Sequence, residues 1–228
     1  MTIQSSGAGD GRSSRREARK PAQHPHAAIP RGGGTQLFAE RPVDAVPIDD
    51  IVAAAGVAKG SFFNHFEDKQ KFADAIGAEI RMDLEARVSA ANRHLEDPLQ
   101  RLTGGMRVAV DYTLTEKERS IVMTRGFRLM TGRDHPLNSG LRKDIDAASA
   151  QGLVRKEAET TGLLFWLGAC HSLMASVIEL RLSRRKAAAL MQDMMFMALL
   201  GLGVSEKQAR GLADESAAML LVAPAKAS

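Results

Sequence analysis

The sequence AGVAKGSFFNHFEDK, from Ala55 to Lys69, decides the fold of this chain. Gly56 can adopt the positive φ that ends a helix, and residues 48–55 before it have two acids in the first helical turn, where the helix dipole favours them. Residues 58–64 after it form a second short helical segment, in which Phe62 packs inward together with Phe66, four residues further on. Two short helices joined by a glycine turn form a helix-turn-helix.

Helical periodicity continues on both sides of this motif. Residues 35–41 predict a short helix upstream. Asp68 is placed to cap a long helix downstream, whose apolar stripe consists of Phe72, Ile76, Ile80, Leu84, Val88, Ala91 and Leu95. Pro98 begins the next helix, to about residue 115, and further helices are predicted over 117–131, 137–150, 157–182, 184–201 and 205–221. We find no convincing strand, so the predicted fold class is all-α.

Composition is ordinary for a globular protein, but the charge is unevenly distributed. The chain has 228 residues, 44% of them hydrophobic and 25% charged, with a formal net charge of +4. Residues 1–34 hold six basic and two acidic side chains, so the remaining chain is formally neutral. This segment is rich in Gly, Ser, Arg and Pro, which predicts a disordered basic arm. Such an arm either contacts nucleic acid or is a solvated tail, and both interpretations stay open.

The sequence favours a cytoplasmic protein. Cys170 is the single cysteine, which excludes an intramolecular disulfide framework and fits a reducing compartment. The N-terminus lacks the apolar core of a signal peptide. Residues 162–178 are the most apolar stretch, just short of a membrane-spanning length, and favour a helix buried against protein, with no membrane as partner. Cys170 is expected to be a structural thiol rather than an oxidation sensor.

The second helix of the motif has the side chains expected of an element that enters a DNA major groove. Ile48, Ile51 and Val57 are expected to pack inward with the two phenylalanines. Lysine can donate to guanine acceptors, asparagine can pair with adenine, and basic groups at the helix end suit phosphates. The side chains left on the outer face or near the end of this helix are Lys59, Ser61, Asn64 and His65, with Lys69 at the start of the next helix.

With these residues, the chain resembles the TetR family of transcriptional regulators. The family pattern is approximately A-G-V-S-K-G-T-x-Y-x-H-F-x-x-K, and the upstream segments LFAER (37–41) and IDDI (48–51) are also similar. Beside the basic arm over 1–34 that composition predicts, the resemblance implies an N-terminal three-helix helix-turn-helix DNA-binding domain over 35–76 and a helical ligand-binding and dimerisation domain over 77–228. The groove-facing positions it implies are Lys59, Gly60, Ser61, Phe63 and Asn64, and the phosphate-contacting ones are His65 and Lys69.

The resemblance also implies what the protein does. It implies a homodimer that binds a pseudo-palindromic double-stranded DNA operator and is released from it by a small-molecule effector, with repression as the common outcome. No cofactor and no enzymatic activity are expected. The six histidines do not cluster at metal-ligand spacing, the acid pairs lie on different helix faces, and no phosphate-binding loop or nucleophile elbow is present, so no metal or catalytic residue is assigned.

The chain departs from the family pattern at three places. Phe63 replaces the usual tyrosine, and Pro47 replaces the threonine or serine that caps the second helix, so two hydroxyl donors are absent. Residues 29–34, IPRGGG, stand where the first helix is usually rich in Ala and Leu. Because an interior glycine costs about 1 kcal/mol and a proline about 3 kcal/mol, this half of the first helix is predicted to fray or not to form. The alternative function is therefore a dimeric small-molecule-binding protein with a weakened or decayed DNA-binding module.

The C-terminal two-thirds supplies candidates for dimerisation and for ligand binding. One apolar stripe contains Leu163, Leu167, Cys170, Met174 and Val177, and another contains Leu190, Met194, Met197 and Leu200. The resemblance implies a four-helix dimer interface, although internal core is an alternative for these stripes. The candidate cavity residues, for which ordinary core is also an alternative, are Met106, Val110, Phe127, Met130, Trp166, Cys170 and His171. His171 or Arg128 could orient a polar group, and an apolar or aromatic effector is mildly favoured.

Overall fold

The computed structural model describes residues 29–126 and 135–222, and its regular secondary structure within these ranges is helical. The α-helices, in chain order, are α1 Gly32–Glu40, α2 Ile48–Ala55, α3 Lys59–His65, α4 Lys69–Asn92, α5 Pro98–Thr115, α6 Lys117–Gly126, α7 Ser139–Ala150, α8 Ala158–Glu179, α9 Arg184–Leu202 and α10 Glu206–Leu221. Single 3-10 turns lie at Val43–Ala45 and Pro136–Asn138. The predicted all-α fold is confirmed, and α2, α3 and α5 lie where the sequence predicts them. Most of the predicted basic arm lies outside the described residues.

The first helix corrects one expectation. The sequence predicts that residues 29–34 fray, but Ile29 is buried and α1 begins at Gly32, so all three glycines are helical. A Cβ on Gly33 would lie 2.3 Å from the Ala54 carbonyl oxygen, and one on Gly34 would lie 2.6 Å from the Phe72 ring. The glycines therefore allow α1 to lie directly against α2 and α4. The close contact supplies packing that offsets their poor helix propensity.

The ends of the next helices follow local chemistry. Gly56 has the left-handed φ of 67° and ends α2, as predicted. The Asp68 carboxylate accepts a hydrogen bond of 2.8 Å from the amide of Lys71 and caps α4, also as predicted. Asp97 caps α5 in the same way through the amide of Leu99. Helix α4 buries the first four members of its stripe, whereas Ala91 near its end is exposed, so the stripe reaches less far than predicted.

Two hydrophobic clusters hold these helices together. The first joins α1, α2 and α3 to α4 and extends to Tyr112 of α5, to Val122 and Met123 of α6 and to Met174 of α8. The second fills the interior between α5 and α7–α10 and contains Trp166. Helix α6 packs against α1, α4 and α8, so the N-terminal helices rest on the C-terminal ones through a shared apolar surface.

Helices α8 and α9 contain the most apolar surface. Helix α8, with a mean hydropathy of 1.5, is long and apolar enough to cross a membrane by length and composition alone, a test that core helices also pass. It packs on α5, α6, α7 and α9, and about a third of its apolar stretch is buried, so part of its apolar surface stays accessible. On α9 the buried side is formed by Met191, Met195 and Leu199 and not by the predicted stripe, of which Met197 is 70% exposed. The predicted stripe lies on the more accessible side of α9, and its place in a dimer interface stays a prediction.

Candidate nucleic-acid interface and effector cavity

Helix α3 lies on the surface and is held from below by an aromatic cluster. Phe62 is fully buried, and its ring centroid lies 5.6 Å from that of Phe66 and 5.4 Å from that of Phe72. Phe38 of α1 reaches the same Phe72 ring at 6.1 Å. Edge-to-face packing at such distances fixes ring orientation as well as burying area. The cluster therefore sets the position of α3 against both α1 and α4.

The outer side of α3 presents the residues expected there. Gly60, Ser61, Asn64 and His65 are exposed, and a Cβ added to Gly60 would meet nothing within 4 Å. Phe63 is 48% exposed and its ring stacks edge-on against Phe62 at 5.4 Å. These five residues share one accessible helix, as a groove-contacting element requires.

Lys59 has a partner that the sequence did not predict. Its Nζ lies 2.8 Å from Oδ1 of Asp49 in the first turn of α2, and both side chains are more than half exposed. An exposed ion pair of this kind contributes little to stability. The Asp49 carboxylate places a negative charge beside the exposed side of α3, and the Lys59 ammonium keeps further donors besides this contact.

Lys69 is placed differently from the α3 residues. Its half-buried ammonium donates to the carbonyl oxygens of Asp44, at 2.8 Å, and Val46, at 3.1 Å. Asp44 lies in the 3-10 turn before α2, and Val46 is the residue directly after that turn. A lysine ammonium has three donors, so one is left for a phosphate. The side chain therefore ties the start of α4 to the entrance of α2.

A network of charged and polar groups joins α4 to α5 and α6. The Tyr112 hydroxyl donates to Asp83 at 3.1 Å and accepts from Arg119 at 2.8 Å. Arg87 pairs with Asp83 at 3.2 Å and with Glu116 at 2.8 Å. Burial raises the pKa of the Tyr112 phenol, which the adjacent Arg119 partly opposes. At α1, Arg31 pairs with Glu79 of α4 at 2.8 Å, so the network begins at the first helix.

A small cavity lies between α4, α5, α7 and α8. Its volume is about 90 Å³, and its apolar lining includes Leu102, Leu141, Trp166 and Leu167. Its polar lining contains two ion pairs, Arg81–Glu85 at 2.7 Å and Arg101–Asp144 at 2.6 Å. Ligand sites usually combine an apolar lining with a few placed polar groups, and this cavity has both.

Burial and ion pairing shift the pKa values of the cavity's carboxyl groups in opposite directions. Burial raises the pKa of the Glu85 carboxyl against the opposing effect of Arg81. Burial likewise raises the pKa of Asp144, while its hydrogen bond and charge interaction with Arg101 act in the other direction. Arg101 also donates to the carbonyl oxygens of Asn92 and Leu95. Cys170 lines the cavity beside these groups, and burial raises the pKa of its thiol to about 12.

The predicted cavity residues divide into three groups. Trp166 and Cys170 line the cavity, whereas Met106 and Val110 are fully buried in the core of the C-terminal helices and His171 is not among the lining residues. Phe127 and Met130 lie outside the described residues, as does Arg128. Besides apolar residues, the lining of this cavity contains charged groups. The ion pairs were missed because Arg101 and Asp144 are 43 residues apart, although the spacing of Arg81 and Glu85 on one helix face was visible in the sequence.

Two other features bear on the choice of site. A second cavity of about 390 Å³ lies between α5, α6 and the end of α8, and its cations Lys117 and Arg181 are exposed. Within residues 29–126 and 135–222, the structure places no three His, Cys, Asp or Glu side chains where they could hold a metal ion.

The α2–turn–α3 geometry is that of a helix-turn-helix. Residues 33–76 match the family described as bacterial regulatory proteins, tetR family. The match to this family is confined to that segment.

Two curated relatives are similar in the same part of the chain. The transcriptional repressor DhaR of Mycobacterium sp. (strain GP1) is 44% identical over 73 residues, which cover 30% of this chain and 35% of DhaR. The transcriptional repressor BepR of Brucella suis biovar 1 (strain 1330) is 31% identical over 90 residues, which cover 39% of this chain and 43% of BepR. The chain thus matches less than half of each relative.

Solved structures extend the similarity over most of the molecule. RolR without ligand is 25% identical with a TM-score of 0.51, and the match covers 80% of this chain and 93% of RolR. A candidate tetR family transcription regulator from Shewanella sp. PV-4 is 14% identical with a TM-score of 0.63, covering 75% of this chain and 94% of that protein. The second likeness concerns the fold alone.

Proposed function

We propose that the protein is a homodimeric, cytoplasmic transcriptional repressor that binds a pseudo-palindromic operator through α3 and is released by a small-molecule effector. The observation that carries this proposal is α3 itself, exposed on one side and fixed on the other by the aromatic cluster under Phe62. The two curated relatives that share this segment are both repressors. DNA contact through Lys59, Gly60, Ser61, Phe63, Asn64, His65 and Lys69 is part of the proposal.

The proposal keeps three regions. We take the DNA-binding unit to begin at Gly32 rather than at residue 35, because α1 includes the three glycines. Residues 77–228 are proposed to bind the effector and the partner subunit. The residues before 29, outside the described ranges, supply the basic arm.

The cavity between α4, α5, α7 and α8 is the proposed effector site. It touches α4 at Arg81, Glu85 and Val88, and α4 also forms part of the core beneath α3. A ligand that changes the position of α4 therefore acts on α1 and α3 through Phe72 and through the Arg31–Glu79 pair. Such a ligand changes DNA affinity only as far as its own affinity differs between the DNA-binding position of α4 and the changed one.

The test of DNA binding is a gel-shift assay with the DNA that flanks the protein's own gene. Replacement of Lys59 by alanine is expected to weaken specific binding by about 1–3 kcal/mol if the ammonium contacts a base. The matched control is Lys143→Ala, an exposed lysine on α7 far from the helix-turn-helix. Equal affinity of the Lys59 and Lys143 variants would remove Lys59 from the interface.

The alternative function is a dimeric ligand-binding protein with a weakened or decayed DNA-binding module. One argument for it is a first helix that frays, but α1 forms, with its glycines in close contact with α2 and α4. The absent tyrosine and threonine hydroxyls remain in its favour. A folded dimer that binds no fragment of its own upstream DNA would support this alternative.

A further inference from the structure

The second cavity, between α5, α6 and the end of α8, has the size and the apolar lining of a ligand site. Its volume is about 390 Å³, and small-molecule sites commonly fall between roughly 300 and 1,000 Å³. Its apolar lining comes from all three helices and from the turn after α8, and consists of Leu114, Ile121, Val177, Ile178 and Leu182. An apolar molecule in this cavity would therefore contact α5, α6 and α8 together.

The charged residues of this lining carry one sign. They are Lys117 at the start of α6 and Arg181 just after α8, and the acids close to them in sequence, Glu118 and Glu179, are not among the lining residues. Neither cation forms an ion pair with a residue that the structure describes. By contrast, each arginine of the cavity between α4, α5, α7 and α8 has a carboxylate partner. Because a cleft lined by one sign of charge attracts the opposite sign, the second cavity favours an anionic ligand.

Arg181 also has an unusual backbone conformation. Its φ is 49°, in the left-handed region, and its amide and the next one donate to carbonyl oxygens in the last turn of α8. The same hydrogen-bond pattern ends α2, α7 and α9, where the left-handed residue is a glycine: Gly56, Gly152 and Gly203. Because a Cβ disfavours this conformation, the turn itself does not account for an arginine here. A strained residue whose side chain lines a cavity indicates a function for that side chain in the cavity.

We propose that the second cavity is a binding site for a small anion with an apolar body. The body packs against the apolar side chains of α5, α6 and α8, and the anionic group lies on the exposed side of the cavity, where the charges of Lys117 and Arg181 stabilise it. The inference goes beyond the proposed function, because it uses neither the residues assigned to DNA contact nor the cavity between α4, α5, α7 and α8.

The ligand class is tested with aliphatic probes of equal chain length that differ only in charge. The probes are octanoate, an anion, 1-octanol, which is uncharged, and octylamine, a cation at neutral pH. Calorimetry measures their binding to the full-length protein without DNA, at concentrations below those at which they aggregate. Octanoate is expected to bind several-fold more tightly than 1-octanol, and octylamine most weakly, because exposed charge pairs are individually modest. If octanoate does not bind, or binds no better than 1-octanol, the proposal is overturned.

The role of the arginine is tested by Arg181→Gly. This variant removes the guanidinium and places in the left-handed position the residue that such helix ends favour. Urea unfolding should therefore show a stability equal to or above that of the unchanged protein, while octanoate affinity falls several-fold and 1-octanol affinity stays the same. An arginine that serves only to end α8 would leave octanoate affinity unchanged, and that result overturns the proposal.

The role of the lysine is tested by Lys117→Ala. The matched control is Lys156→Ala, an exposed lysine just before α8, at the opposite end of that helix from the cavity. Octanoate affinity is expected to fall in the first variant and to stay unchanged in the second. Equal octanoate affinity in the two variants means that octanoate responds to net charge alone or binds elsewhere, and overturns the proposal.

Failure of this inference is distinguishable from failure of the proposed function, because the probes are measured without DNA. A protein that binds its upstream DNA but shows no preference for octanoate keeps the regulatory function and loses the anion site. A protein that prefers octanoate but binds no DNA keeps the anion site and loses the regulatory function.

Discussion

Gly33 and Gly34 are the residues on which α1 depends most directly. Each is placed where any side chain would collide, Gly33 with the Ala54 carbonyl oxygen and Gly34 with Phe72 and Ile76. Helix propensity alone would favour alanine at both positions by about 1 kcal/mol. The contact geometry reverses that preference, because neither a backbone carbonyl nor a ring packed among three others can move away easily.

We expect Gly34→Ala to lower the free energy of unfolding by about 1–3 kcal/mol through overpacking against Phe72. Gly33→Ala is expected to behave similarly. The matched control is Gly32→Ala in the same helix, where an added Cβ meets nothing within 4 Å. Urea unfolding measures all three. Equal stability of the Gly32 and Gly34 variants would mean that α1 does not approach α4 as closely as described.

Cys170 is expected to react slowly with thiol reagents. Burial raises its pKa to about 12 from an ordinary 9.0, so below pH 9 its thiolate fraction is roughly a thousandfold lower than that of an ordinary cysteine. The alkylation rate should therefore keep rising by about tenfold per pH unit beyond pH 9. The same protein unfolded in urea is the control. A native rate at pH 8 close to the unfolded rate would contradict the buried thiol and reopen the oxidation-sensor interpretation.

At the scale of elements, Lys69 connects α4 to the turn that precedes α2. Its ammonium bonds to two carbonyl oxygens whose residues are 25 and 23 positions away. Hydrogen bonds to charged groups are stronger than neutral ones, but this side chain is only half-buried. The lysine is thus a positioning residue for the helix-turn-helix and also a candidate phosphate contact.

We expect Lys69→Met to lower the free energy of unfolding by about 1 kcal/mol, because both carbonyls lose their charged donor. Lys71→Met, an exposed lysine in the same first turn of α4, is the control. Salt-dependent DNA binding separates the two roles, since loss of a phosphate contact reduces the salt slope by about one. If Lys69→Met leaves the free energy of unfolding unchanged but reduces the salt dependence of DNA binding, Lys69 contacts a phosphate and does not position the helix-turn-helix.

The elements themselves follow from the sequence better than their contacts do. Gly56 and Asp68 act locally, so the ends of α2 and α4 could be predicted. The close approach of Gly33 to Ala54 and the Arg101–Asp144 pair depend on residues far apart in the chain, which periodicity cannot locate. On α9 the sequence left core and dimer interface as alternatives, because hydrophobic spacing identifies a core face only when the opposite face is polar, and both sides of α9 carry apolar residues.

At the scale of the whole molecule, the outward apolar face of α8 and α9 is the proposed dimer interface. Leu164 and Phe165 are 55% and 45% exposed, and Met197 is 70% exposed. Phe165 lies against Gly201, where a Cβ would come within 2.8 Å of its ring, and Met197 is one helical turn before Gly201. These side chains therefore form one continuous surface across two packed helices. A TetR-type dimer needs such a surface to hold two α3 helices at the spacing of successive major grooves.

Met197→Glu is expected to shift the protein from dimer to monomer, since the interface would then bury two unpaired carboxylates. The control is Met82→Glu on α4, a similarly exposed methionine away from this face. Sedimentation measures the oligomeric state. Because a monomer presents a single α3, operator affinity should fall together with the dimer. Dimerisation that survives Met197→Glu but not Met82→Glu would move the interface from α8 and α9 to α4.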